Sequence, residues 1–245
     1  MSEPRNSDRE ARRQSEAERV RRVYRARADH NNLSRFSLAS LMALQERERF
    51  FLEELSRRGS DPASLDCLDV GCGGGGQLAR LVAYGADPRR LHGIDIGDDA
   101  ITAARARLPL CDLVAGDASE MPFETDSMDV VMQQTMLSSI LDEEVRRWTA
   151  AEMLRVCRPS GLIVSYDFIR NPTNPDTRGV SAGELRRLFP DCRVRIRRLT
   201  LAPPIARRIA PRSRLLAAAV GSLPLVKTHL MAFIAPPSEA GAIHR

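Results

Sequence analysis

Three aspartates, Asp69, Asp95 and Asp117, stand at or just before the ends of short apolar runs, and the first is followed by glycines at 71, 73, 74, 75 and 76. A glycine turn between a strand and a helix presents backbone N–H groups and a positive helix end, the donor set that holds the polar parts of a nucleotide cofactor. Gly71, Gly73 and Gly76 spell G-x-G-x-x-G, whereas Gly71, Gly73 and Gly75 spell a shorter G-x-G-x-G, so the loop alone does not name its ligand. Asp95, in HGIDIGDDA, lies where a carboxylate accepts hydrogen bonds from both hydroxyls of a ribose, under either template. Asp69 separates the two: beside a pyrophosphate its charge would repel, whereas an ammonium group would be attracted. Asp117, in AGDASEMPF, offers an acceptor to the exocyclic amino group of an adenine lying across the strand ends, and a dinucleotide reading gives it no task.

The elements that must position these residues follow from hydrophobic period and breakers. Helices are predicted over 8–28 and 34–58, the second stopped by Gly59 and followed by Asp61-Pro62. Strands at 65–70, 91–96, 111–115, 128–133 and 161–168 then alternate with helices at 75–84, 98–107 and 142–157, the order that a parallel sheet with crossover helices produces. Beyond Pro172 a helix at 181–189, a strand at 192–201, a helix at 205–219 and a strand at 226–235 are predicted. The 245 residues suit one α/β core. The expected division is an N-terminal helical extension or lid over 1–60, a cofactor-binding domain over 61–235 and a tail over 236–245.

With four segments in this order, LDVGCGGG at 68–75, GIDIGDDAI at 93–101, AGDASEMPFETDSMDVV at 115–131 and EMLRVCRPSGLIV at 152–164, the chain resembles class I S-adenosylmethionine-dependent methyltransferases, of the broad group similar to the ubiquinone/menaquinone C-methyltransferases. The resemblance runs from about residue 65 to 168. It implies a Rossmann-like seven-stranded sheet whose last strand, here within 228–234, inserts antiparallel, and S-adenosyl-L-methionine as cofactor. Carried over residue by residue, it implies Asp69, Gly71, Gly73 and Gly75 around the methionine part, Asp95 with Ile96 at the ribose, and Asp117 with Ala118 at the adenine. Pro159-Ser160-Gly161 replaces the more usual Pro-Gly-Gly turn, with Gly161 available for positive φ.

Methyl transfer from a sulfonium is an in-line displacement that depends on alignment and desolvation, and a hydroxyl acceptor also needs a proton acceptor. The family often carries a histidine after the fourth strand, but this chain reads MQQTMLSS at 132–139. Of Gln133 and Gln134, one is expected near the methyl group, and Gln133 is placed with the cofactor residues; neither amide can take up a proton. His30, after the first helix, and Asp167, at the end of the fifth strand, are the candidate catalytic groups. Tyr24 and His229 read as structural.

Composition narrows the remaining classes. The five cysteines form no C-x-x-C pair and the four histidines are dispersed, so no metal site is expected. The N-terminus has no signal-peptide pattern and the apolar 215–226 run is broken by Gly221 and Pro224, so a cytoplasmic protein without stable membrane insertion is expected. Only 4% of residues are aromatic and no Asn/Asp-Pro-Pro-aromatic element follows the fourth strand, which argues against nucleic-acid methylation. Ten arginines within 186–214 face one acid, Asp191; a solvated surface is expected there, and core packing for 215–226. The favoured function is methylation of a small-molecule acceptor, at oxygen in a secondary metabolite, sugar or glycolipid. Methylation at carbon or nitrogen, cofactor binding without turnover and, more remotely, an NAD-dependent oxidoreductase stay open.

Overall fold

Apolar runs rich in Val, Leu, Ile and Met give seven strands of four to twelve residues after residue 66, and these pair into one sheet. The structure, a computed structural model, describes residues 6–28, 37–171 and 174–237. In chain order the elements are α1 (Asn6–Ala28), α2 (Leu38–Arg57), β1 (Cys67–Val70), α3 (Gly76–Ala83), β2 (Leu91–Asp95), α4 (Asp98–Arg107), β3 (Asp112–Ala115), β4 (Met128–Gln134), α5 (Glu143–Val156), β5 (Cys157–Phe168), α6 (Ala182–Leu188), β6 (Arg193–Leu201), α7 (Pro203–Ile209), α8 (Arg214–Gly221) and β7 (Lys227–Ala235). The sheet order is β3-β2-β1-β4-β5-β7-β6, with β7 antiparallel to both neighbours and the other pairs parallel. This is the Rossmann-like seven-stranded sheet expected from the sequence.

The strand order reverses between β1 and β4, which opens a crevice at the carboxyl ends of those strands, where open α/β sheets bind their ligands. Side chains from α5 and α6 bury one face around Leu68, Val131 and Ile163. Side chains from α2, α3 and α4 bury the other around Met132, Val164 and Phe233. The expected N-terminal lid therefore divides: α2 is a core helix, with Phe51 and Leu55 buried and Glu54 bonded to Arg57, Arg58 and Arg195, and α1 alone crosses the carboxyl edge. No described helix is long and apolar enough to cross a membrane.

Three sequence expectations change. The helix expected over 205–219 is two helices, because Pro211 interrupts the run and the Ser213 hydroxyl caps α8 by accepting from the Leu216 N–H at 3.1 Å. Gly161 does not use positive φ; it is required for space, since a Cβ there would come within 2.9 Å of the Arg158 and Asp129 carbonyl oxygens, where β5 shifts register against β4. The 215–226 run does not pack into the core as a whole: Ala217 is buried, while Leu215, Leu216, Leu223 and Leu225 are exposed.

Candidate functional site

The loop after β1 is shaped by backbone bonds before any ligand is considered. The N–H groups of Gly71 and Cys72 both donate to the Ile94 carbonyl, at 2.8 and 3.1 Å, folding the turn over β2. Gly71 takes φ +76°, and a Cβ there would meet Met136 at 2.7 Å, so a side chain is excluded both by conformation and by space. Above Gly73 and Gly74 a Cβ would meet nothing within 4 Å, which leaves an open floor beside the loop.

Asp95 ties this loop to the next. Its Oδ2 accepts from the Gly73 N–H at 2.8 Å and its Oδ1 from the Gly97 N–H at 2.9 Å, so the carboxylate is fixed between two turns with lone pairs still facing the crevice. Asp117 is fixed in the same way: its Oδ1 accepts from the backbone and hydroxyl of Ser119, both at 2.8 Å, and its Oδ2 from Arg13 of α1 at 3.0 Å. Gly71, Gly73, Asp95, Ile96, Asp117 and Ala118 all line one cavity of about 840 Å³ at the crevice.

The other sequence-predicted residues among those described, Asp69, Gly75, Gln133 and Asp167, do not line the cavity. Asp69 is 3% exposed on the face covered by α2 and α3, and burial pushes its carboxyl up to about 7, against the lowering influence of Arg47 and Arg80. The expectation of a direct contact between Asp69 and an ammonium group is thereby corrected: β1 turns that side chain away from the cavity. Gly75, at φ +73°, starts α3 and approaches Leu108 and Ala104 of the α4 region, so its requirement is helix packing rather than ligand contact.

Gln133 and Asp167 are also withdrawn from the cavity and instead shape its wall. The Gln133 amide nitrogen donates to Ser165 Oγ and to Asp167 Oδ2, each at 2.6 Å, while its oxygen accepts from the N–H groups of Met136 and Leu137. Asp167 Oδ1 accepts from the Ser138 N–H at 3.2 Å. Asp167 is 1% exposed, and burial raises its carboxyl to about 6 against these donors, so it holds the turn after β4 and does not face an acceptor. That turn carries Thr135 at φ +59°, a strained conformation for a β-branched residue, and Thr135 lines the cavity. Replacing Gln133 by alanine removes donors from Asp167 and an acceptor from two N–H groups. A loss of about 1–2 kcal/mol is expected, larger at pH 8 than at pH 5 because the ionised carboxylate is the form that needs the donor; urea unfolding of both proteins measures it.

Helix α1 closes the cavity from above. Glu16 is buried and accepts from the Leu141 N–H at 2.6 Å, Arg21 donates to the Ile96 carbonyl at 3.1 Å, Arg19 reaches the Ser139 carbonyl, and Tyr24 shares a 2.9 Å hydrogen bond with the Ser139 hydroxyl. Ala17, Val20 and Tyr24 line the cavity, opposite Met136, Ile140, Val145 and Phe168. Sequence reasoning did not place Glu16, Arg13 or Thr135 here; each is defined by a contact across 75 residues or more, or by a backbone angle, and neither leaves a local signal. His30 lies outside the described residues. Tyr166 and His229 stack at 4.8 Å, and burial lowers His229 to about 4, so it is a neutral structural histidine.

Residues 67–161 match the family described as "Methyltransferase domain". The chain is 38% identical over 113 residues to the phthiotriol/phenolphthiotriol dimycocerosates methyltransferase of Mycobacterium tuberculosis, covering 45% of this chain and 40% of that protein. It is 30% identical over 115 residues to a sterol 4-C-methyltransferase of Caenorhabditis elegans, covering 44% and 32%. The chain spans about half the length, or less, of the curated relatives it matches. An S-adenosylmethionine-dependent methyltransferase structure from Archaeoglobus fulgidus superposes with a TM-score of 0.55 at 18% identity, over 76% of this chain and 93% of that one. The [4+2]-cyclase SpnF superposes with a TM-score of 0.52 at 19% identity, over 71% and 76%; likeness at such identity speaks to fold alone.

The matched segment 67–161 contains the strands and loops that build the crevice, so this part of the chain is similar to a methyltransferase domain, and the cofactor which that similarity implies is S-adenosyl-L-methionine. The residues present fit that group: an open floor over Gly73 and Gly74, and two carboxylates anchored by backbone donors at successive strand tips.

Proposed function

We propose that the chain transfers the methyl group of S-adenosyl-L-methionine to an oxygen of a small molecule with an apolar body, in the secondary-metabolite, sugar or glycolipid class. The observation that carries this reading is the cavity itself: anchored carboxylates at one side, an apolar wall of Met136, Ile140, Val145 and Phe168 at the other, and α1 above both. The names of two relatives, a sterol methyltransferase and a phthiotriol dimycocerosates methyltransferase, support an acceptor with a large apolar part.

In this reading the bound cofactor supplies an electrophilic methyl group on a sulfonium. Asp95 accepts from the ribose hydroxyls, with Ile96 beside it; Asp117 and Ala118 meet the purine; Gly71 and Gly73 let the backbone approach the methionine part. Asp69 acts through the loop as a buried negative charge. Gln133 and Asp167 hold Thr135 and Met136 in place, and α1 excludes water, which strengthens alignment and the electrostatic terms inside. The proton of a hydroxyl acceptor passes to His30, assigned on sequence position alone.

Incubation of the purified chain with methyl-tritiated cofactor and fractionated metabolite and lipid extracts tests the proposal. Label is expected in a product whose mass rises by one methylene and whose new methyl sits on oxygen. A methyl on carbon or nitrogen would correct the acceptor atom, and cofactor binding with no labelled product from any fraction would favour a binding protein without turnover.

A further inference from the structure

The pairing of β7 antiparallel to both β5 and β6 makes β6 run in the same direction as β5, so the Leu201 end of β6 lies at the same sheet edge as Phe168, a residue of the cavity wall. α7 and α8 join that end of β6 to the start of β7 and therefore stand at the cavity edge of the molecule. Their outer surface is unusual in two respects. Leu215 and Leu225 are 85% and 94% exposed, and Leu216 and Leu223, between them in sequence, are more than half exposed. Around them Arg207, Arg208, Arg212 and Arg214 are exposed and make no ion pair with any described residue. From residue 192 to 238 the sequence carries nine basic residues and no acid.

Four exposed leucines within one short segment are more than scattered surface apolar residues, and they mark a surface that meets something apolar. The arginines decide what that is. A second copy of this chain would bring the same unpaired cations face to face, which is repulsive. A nucleic acid would use the arginines and leave the leucines in water. A membrane surface uses both: leucines enter the boundary of headgroups and acyl chains while arginines meet lipid phosphates.

We propose that the surface formed by α7, α8 and Leu223–Val226 docks the protein peripherally on anionic lipid, turning the carboxyl edge of the sheet, and with it the cavity, towards the bilayer. The inference goes beyond the catalytic reading and does not depend on it, since docking is measured without cofactor or acceptor. Co-sedimentation of the full chain with phosphatidylcholine vesicles, with and without phosphatidylglycerol, is expected to show binding that requires the anionic lipid and weakens with salt. The double variant Leu215→Ser/Leu225→Ser is expected to reduce the bound-to-free ratio about tenfold or more, and Arg207→Gln/Arg208→Gln/Arg212→Gln to reduce it by a similar factor. All five positions are exposed, so melting temperature and cofactor affinity should be unchanged and serve as controls for folding. Absence of binding to phosphatidylglycerol vesicles, or binding by either variant as strong as that of the parent protein, would overturn the proposal. So would a dimer in sedimentation velocity that the leucine variant abolishes, which would make this face a contact between copies.

Discussion

Replacing Asp95 by alanine is expected to weaken binding of S-adenosylhomocysteine by about 10- to 150-fold, corresponding to roughly 1.5–3 kcal/mol for lost hydrogen bonds to a charged acceptor. The carboxylate is held ready by the Gly73 and Gly97 N–H groups, so an unliganded protein already has its acceptor in place and no ordering is spent on it. Alanine also frees those two N–H groups beside open space, where water can satisfy them, so the loss falls on affinity more than on stability. Asp95→Asn keeps one acceptor oxygen and should fall between the two. Calorimetric titration of each variant, with circular dichroism to confirm folding, measures the effect; a folded alanine variant with unchanged affinity would remove Asp95 from the site.

Asp69→Asn is expected to act in opposite directions on stability and on binding. Burial raises the Asp69 carboxyl from an ordinary 3.8 to about 7, so the folded protein holds a proton there more tightly than the unfolded chain does. Stability from this group is therefore fully present below about pH 4 and is lost as pH rises to about 7. Asparagine carries no such penalty, and the variant should gain stability at pH 8, on the order of 4 kcal/mol at most, with the gain vanishing towards pH 4. The gain falls short of that limit to the extent that the buried amide lacks partners. Binding should suffer, because the buried negative charge behind the loop favours a cation in front of it; affinity for the sulfonium donor is expected to fall more than affinity for the demethylated product, which lacks the sulfonium charge. Urea unfolding at pH 5 and pH 8 checks the first effect and calorimetry with both ligands the second. A variant less stable than the parent protein at pH 8 would contradict the argument.

The alternation of apolar runs with helical patterns made the sheet legible, because strand length and crossover length are set by local chemistry: α4 lies over 98–107 as its spacing predicts, and β2 ends at Asp95. The strand tips were legible for the same reason, and Asp95 and Asp117 line the cavity. What spacing does not encode is the face on which a side chain near a tip falls. Asp69 and Asp167 sit near carboxyl ends yet point into opposite packed faces, and Gln133 turns inward to bond Asp167. Long-range closure was equally hidden: Arg13 finds Asp117 and Tyr24 finds Ser139 only through the placement of α1, which its own sequence does not specify. The leucines of α8 show the reverse case, where an apolar run reads as core because hydropathy does not reveal whether a partner covers it.

The central claim is that this crevice holds an adenosyl sulfonium cofactor by carboxylates at successive strand tips. Titration of the intact chain with S-adenosylmethionine, S-adenosylhomocysteine and NAD by isothermal calorimetry tests it most directly. Saturable binding of one molecule of either adenosyl ligand per chain, weakened in Asp95→Ala and absent for NAD, is the predicted result. Folded protein that takes up neither adenosyl ligand, or that binds NAD in their place, would contradict it.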